Sequence, residues 1–418
     1  MFQGLVLATI VFLTSTACGQ QWPRFRGPNG QGISDAKNIF VKWTENDYAW
    51  KVKLPGVGHS SPVIWQGKVF VTCGDQKAAQ GIIAALSTSY GEVLWEKRYP
   101  LTAYRMNKLN SYGTKTPAVD ADCVYVLWAT TQETILAALD HNGNQVWQRT
   151  FEGVHCQHGP GTSPIVHDDV VVFSHEHEDH IDKDAQSAWI AVDRKTGQTR
   201  WQLPRQTGPK TSYSTACVYT PQVGSAQLIF TSFAHGMTAV DPATGKVVWE
   251  DASAFISRVV SSPVVAGELL IGTCGDGSAG KRLIAIRPPT DNESTQPGQA
   301  YKIDSSSMPY VPTSLAKDVL LFTFHDRGDV SCLRSDTGEL LWREKPAGRY
   351  YGSPVWVDGK LYCITTAGEV VVIKAAPTFE LLAVNPLGEN SHATPAVADG
   401  RMYLRTYSHV ISVGPEKQ

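Results

Sequence analysis

The chain has 418 residues, a formal net charge of −2 and only 18% charged residues. That length can bury a large core. The near-neutral, evenly spread charge excludes both the basic stripe that nucleic acid would need and strong attraction to an anionic membrane. With 36 Gly and 12 Trp, the composition suits many short strands joined by tight turns.

The first element is an apolar run over residues 5–13, followed by Ser15, Thr16 and Ala17. It has signal-peptide length and is too short to span a bilayer. Residues 1–18 are therefore read as a signal peptide, although no positive charge precedes the run, and the mature protein as exported to the periplasm or cell envelope. Cys18, after Ser-Thr-Ala, resembles a lipobox with Ser15 where Leu is usual. Lipidation of Cys18 and plain cleavage beside it both stay open. Residues 19–47 form a lead-in, and residues 48–415 form the repeating domain.

Within that domain the phrase AVDRKTGQTRW (residues 191–201) recurs as AVDPATGKVVW (239–249). Looser copies end at Trp95, Trp147 and Trp342, another carries Trp50, and Tyr301 and Leu381 hold the same place in the weakest ones. The spacing lies between 39 and 54 residues throughout, the range of a propeller or related β array. In each copy a strand leads to Asp and Thr, which can bond local backbone. Gly then supplies the left-handed turn residue, and a second strand ends in a Trp broad enough to pack between blades.

A second phrase precedes each hairpin: a small residue, usually Pro, apolar residues, a turn and another strand, as in HSSPVIWQGKVFVT and YGSPVWVDGKLYCIT. Each unit thus holds four antiparallel strands, A to D, and there are eight units. The eighth lacks its outer strand, which YAWKVKL near the N-terminus can supply. Such closure removes an open edge. The expected fold is all-β, an eight-bladed propeller closed by an N-terminal strand.

The A-x-D-x-x-T-G-x-x-x-W hairpin resembles the repeat of pyrroloquinoline-quinone (PQQ)-like propellers, a superfamily that includes quinoprotein dehydrogenases and the BamB lipoprotein of outer-membrane barrel assembly. The opening WPRFRGPNGQG resembles the lead-in of a bacterial subgroup of these propellers. The resemblance spans about residues 22 to 415. It implies the fold strongly and an activity weakly, since the scaffold hosts enzymes and binders alike.

Strand alternation puts D–A and B–C connections on one face. His59, His155, His158 and His392 fall in D–A connections, and His175, His177, His180, His235, His325 and His409 at or beside B–C connections. Only His141 and His167 map to the other face. The position three before the strand-A Pro, or its equivalent, reads His59, Thr114, Gly161, Tyr213, Val260, Val311, Tyr351 and His392, and should ring the channel mouth. A concave mouth with convergent polar groups is the default ligand site. The candidates are His59, Tyr213, Tyr351, His392, His158, Arg258 and Arg349, with a solvated, ligand-free channel as the plain alternative.

SHEHEDHIDKD (174–184) is the sharpest local feature. If the strand continues, His175 and His177 share one side, and with His180 and Asp179 they make a candidate site for zinc or a similar divalent ion. A solvated polar loop is the alternative. The superfamily's dehydrogenases hold their quinone with an adjacent Cys-Cys disulfide, a stacking Trp and calcium-ligating carboxylates. This chain has no adjacent Cys pair, so PQQ is not expected, while a divalent metal stays open. The seven widely spaced cysteines beyond Cys18 read as buried small apolar residues, with one or two disulfides open. Two functions follow. The first is an exported binding or scaffold propeller, acting as a monomer on a protein or small molecule at the top face. The second is a quinone- or metal-dependent oxidoreductase using that His-rich face.

Overall fold

The computed structural model describes residues 20–290 and 296–415, so the segment expected to be a signal peptide, residues 1–18 with Cys18, lies outside the described residues. Eight antiparallel sheets follow one another around a ring. Blade 1 consists of strands A to D at Val63–Trp65, Lys68–Asp75, Gln80–Ser87 and Val93–Pro100. Blades 2 to 7 occupy residues 118–152, 165–205, 217–251, 264–304, 315–344 and 355–386. Blade 8 runs from 396 to 413 and takes Tyr48–Lys53 as its outer strand, paired antiparallel with His409–Val413. Closure by the N-terminal strand is therefore as the repeat requires.

The repeated hairpin explains how blades grip one another. Asp193 Oδ1 accepts from the Lys195 and Thr196 amides and the Thr196 hydroxyl at 2.8–3.0 Å, and Asp241 does the same with Ala243 and Thr244. A bulge interrupts every C–D pair next to the repeat position, which is aromatic in all blades but the seventh, as between Ala191 and Val192. The extra residue turns the Trp toward the next blade. Trp50, Trp95, Trp147, Trp201 and Trp342 each donate Nε1–H to a backbone carbonyl of the following blade's C–D hairpin, at 2.8–3.1 Å. Tyr301 does so through its hydroxyl. Trp249 departs from the pattern and donates to the Gln227 side chain of its own blade. The hairpin Gly lies against the preceding Trp face: a Cβ at Gly245 would come within 2.6 Å of the Trp201 ring, at φ +71°. Gly is needed there for contact as well as for the turn.

The lead-in is not an appendage. Residues 22–34 cross the channel and cap the exposed inner edges of the A strands. Trp22 exchanges two backbone bonds with Ile64 of blade 1, and the Val119 amide of blade 2 donates to Pro23 O. Asn29 imitates a strand: its amide group donates to Val218 O at 2.7 Å and accepts from Val218 N at 2.8 Å. Gln31 Oε1 accepts from Val265 N, and residues 33 and 34 pair parallel with Trp356 and Val357 of blade 7. Arg24 and Arg26 reach the Ala216 and Ser314 carbonyls of blades 4 and 6. Unpaired strand edges in a dry interior are costly, and this segment satisfies them one at a time. The seven described cysteines are all free, six of them buried.

Candidate functional site

Because the lead-in blocks the lower half of the channel, the upper half is a cup. Its volume is about 490 Å³ and Phe25 is in its lining, continuous with the lead-in. All eight residues expected at the mouth line it: His59, Thr114, Gly161, Tyr213, Val260, Val311, Tyr351 and His392. His158 and Arg258 line it as well. Arg349 does not; its Nε donates to the Asp326 carbonyl at 3.2 Å, which draws the guanidinium into the blade 6–7 connection.

On one side of the mouth, His59 and His392 stack with centroids 4.4 Å apart, and Tyr351 meets His392 edge-on at 4.9 Å. Burial, with His392 and Arg405 close by, pushes the His59 imidazole down to about 3, and burial pushes His392 down to about 4. Both rings are neutral at pH 7, as a close stack of two imidazoles demands. On the other side, Arg258 is 3% exposed and spans three blades: it bonds Glu178 Oε1 at 2.8 Å, Gln157 Oε1 at 3.0 Å and His158 Nε2 at 3.0 Å. Asn107 and Asn110, from the long connection before blade 2, hold His158 through Nδ1 and its carbonyl. The wall is thus built of aromatic rings, amides and one internally neutralised Arg–Glu pair.

Below the mouth lies a feature that the sequence reading registered only as "a small residue". The residue before the strand-A Pro, or its equivalent, is Ser61, Thr116, Ser163, Thr215, Ser262, Thr313, Ser353 and Thr394. In each case the backbone N–H donates to the hydroxyl of the next blade's residue, at 2.9–3.3 Å, and Thr394 N closes the circle on Ser61 Oγ. All eight line the cup. The signal was present, since every copy carries Ser or Thr there.

The expected metal set of His175, His177, His180 and Asp179 comes together only in part. Strand B of blade 3 ends at His175, yet the His175 and His177 rings still meet edge-on at 4.9 Å, with His155 5.8 Å from His177. His175 Nε2 is held 2.9 Å from Glu152 O, and the buried His177 accepts from His155 N. His180 is half exposed beside Glu178 and Asp179. Among the described residues no group of three or more His, Cys, Asp or Glu is placed to hold a metal ion. Burial, then His175 and His155, pushes His177 down to about 4.

The three most strongly depressed imidazoles, His59, His177 and His392, predict a pH dependence. At pH 5 they are unprotonated when folded, while their unfolded counterparts bind protons. Stability should therefore fall as pH drops from about 6.5 toward 4, with a slope approaching about 1.4 kcal/mol per pH unit for each ring. Denaturant unfolding at pH 7 and pH 5 measures this, and His59→Asn/His392→Asn should make it shallower by those two rings' share, leaving that of His177. A flat wild-type profile would show that the stacked pair takes up protons freely.

With the site in view, the comparisons place the chain. A family model described as "Outer membrane protein assembly factor BamB" matches residues 33–150, 79–303 and 326–413. The chain belongs to this family of PQQ-like β-propellers. BamB from Moraxella catarrhalis is 14% identical, with a TM-score of 0.60 over 89% of this chain and 98% of that one. Quinohemoprotein alcohol dehydrogenase from Comamonas testosteroni is 13% identical, with a TM-score of 0.64 over 97% and 82%. The computationally designed Ika8 protein gives 0.59 at 12% identity, over 87% and 98%. At such identities these structures share a fold with this chain and no more. No curated protein matches it.

Proposed function

We propose that this protein is an exported binding propeller that holds a small polar ligand in the top-face cup while its BamB-like ring serves as a rigid scaffold. The observation that carries this reading is the cup itself: closed below by the lead-in and lined by converging hydroxyl, amide, imidazole and tyrosyl groups. Export rests on the apolar run at residues 5–13 and on the outer-membrane assembly role in the family's description. No helix among the described residues is long and apolar enough to cross a membrane. The oxidoreductase reading has less support, because the His155, His175 and His177 rings, though 4.9–5.8 Å apart, form no group placed to hold a metal among the described residues, and no two cysteines are adjacent.

Thermal-shift screening of the purified protein against pools of small polar metabolites tests the proposal, with PQQ plus calcium as a separate arm. Hits should appear in the pools and vanish in a Tyr351→Ala/His392→Ala variant that still folds. Hits that survive the variant would move binding off the cup, and saturable PQQ binding would favour the oxidoreductase.

A further inference from the structure

Eight hydroxyls encircle the channel axis, and their hydrogen bonds are half used. Each accepts one bond from a neighbouring backbone N–H, and none donates to another protein atom among the described residues. Eight O–H groups are therefore left to donate, and all eight line the cup. The N–H that each oxygen accepts polarises it further toward donating.

The charges around the base have one sign. Arg24 and Arg26 flank Phe25 in sequence and are at most 6% exposed; among the described residues they have no carboxylate within ion-pair distance, and Arg24 Nε and Arg26 Nε and Nη1 have no hydrogen-bond partner. Higher up, beside His59 and level with the ring, Arg405 is fully buried between blades 8 and 1, where its Nη1 binds the carbonyls of Ser60 and Thr72, and among the described residues it too lacks a carboxylate partner. The acids closest to the cup are engaged. Asp276 pairs with Lys210 at 2.5 Å, Glu178 with Arg258, and Asp326 accepts from the Tyr310 and Val311 amides. Buried cations without counter-charges raise the potential above them, and a ring of donors over such a base suits an anion. A cation would meet the same guanidiniums and find no free carboxylate.

From this we infer that the hydroxyl ring binds the acid group of a small anionic ligand, a carboxylate or a phosphate, on the propeller axis. The inference rests on the cup being a ligand site and deepens that reading. The neutral mouth above, with its His59–His392 stack and Tyr351, then holds the less charged remainder of the ligand.

Calorimetric titration of the full chain with citrate and inorganic phosphate, with glucose as a neutral probe, tests it. One anion should bind at a single site. Val260, partly open on the cup wall, is the place to alter charge alone: Val260→Asp should bind the anion about tenfold or more weaker than the size-matched Val260→Asn. Melting of both variants without ligand separates a lost site from a lost fold. A selenate soak is the second measurement, and it should place the anion on the axis at the level of Ser61, Ser163 and Thr313. Equal affinities in the two variants, or selenate found only elsewhere, would overturn the inference. Glucose binding untouched by Val260→Asp would overturn the anion and leave the cup as a site. No binding of any probe here, together with no hits in the metabolite screen, would overturn both readings.

Discussion

Replacing Trp201 by Ala is expected to destabilise the protein by about 3–5 kcal/mol, a sizeable share of a typical domain's stability. Trp201 is 8% exposed, its Nε1 donates to Pro242 O at 2.8 Å, and its ring lies under Gly245 of the next hairpin. The substitution empties a large inter-blade volume and leaves the Pro242 carbonyl unpaired. Trp201→Phe should keep most of the packing and lose only the bond, roughly 1 kcal/mol. Gly245→Ala approaches the same interface from the other side: its methyl would sit 2.6 Å from the ring at a φ of +71°, so it too should destabilise. Urea unfolding of the three variants gives the ranking. Trp201→Ala and Trp201→Phe of equal stability would mean that the indole is not the strut between blades 3 and 4.

How far the sequence could be read depended on repetition. The hairpin was legible because eight copies sample one physical solution, and even Tyr301 and Leu381 betray their place by register. Closure was legible because blade 8 runs out of chain one strand short. The lead-in was not. WPRFRGPNGQG makes each contact once, through side-chain amides, guanidiniums and glycines at positive φ, and no period announces it. Its resemblance to a subgroup's opening marked it as shared without showing that it closes the channel. The His-rich loop was legible only in part. H-x-H spacing did bring the His175 and His177 rings to 4.9 Å, but the strand stops at His175, and His180 lies half exposed beside Glu178 and Asp179. The mouth ring was placed correctly because distance from a strand-A Pro is a register argument. Asn107, Asn110 and Gln157 were missed because they sit on irregular connections whose path only tertiary packing decides. The hydroxyl ring was the most recoverable omission, since Ser or Thr stands before strand A in every blade.

The lead-in also carries the largest expected effect. Removing residues 20–54 takes Tyr48–Lys53 from blade 8, the caps from the inner strand edges, and Trp22, Trp43 and Trp50 from the core, each at most 7% exposed. At about 3–5 kcal/mol for each buried Trp, that loss matches the whole stability of an ordinary domain, so the truncated chain should fail to fold cooperatively. Removing only residues 20–32 is the informative contrast. The ring keeps its closing strand and should still melt as a unit at a lower temperature, but the cup loses Phe25 and becomes an open channel. Ligand binding should then fall further than the melting temperature alone would suggest. Calorimetry of both truncations beside the chain from residue 20 makes the comparison, and a synthetic peptide of residues 20–54 added to the longer truncation should restore a cooperative transition. A longer truncation that melts within a few degrees of the intact chain would show that blades 1 to 8 hold their ring without a clasp, and that the inner strand edges tolerate water.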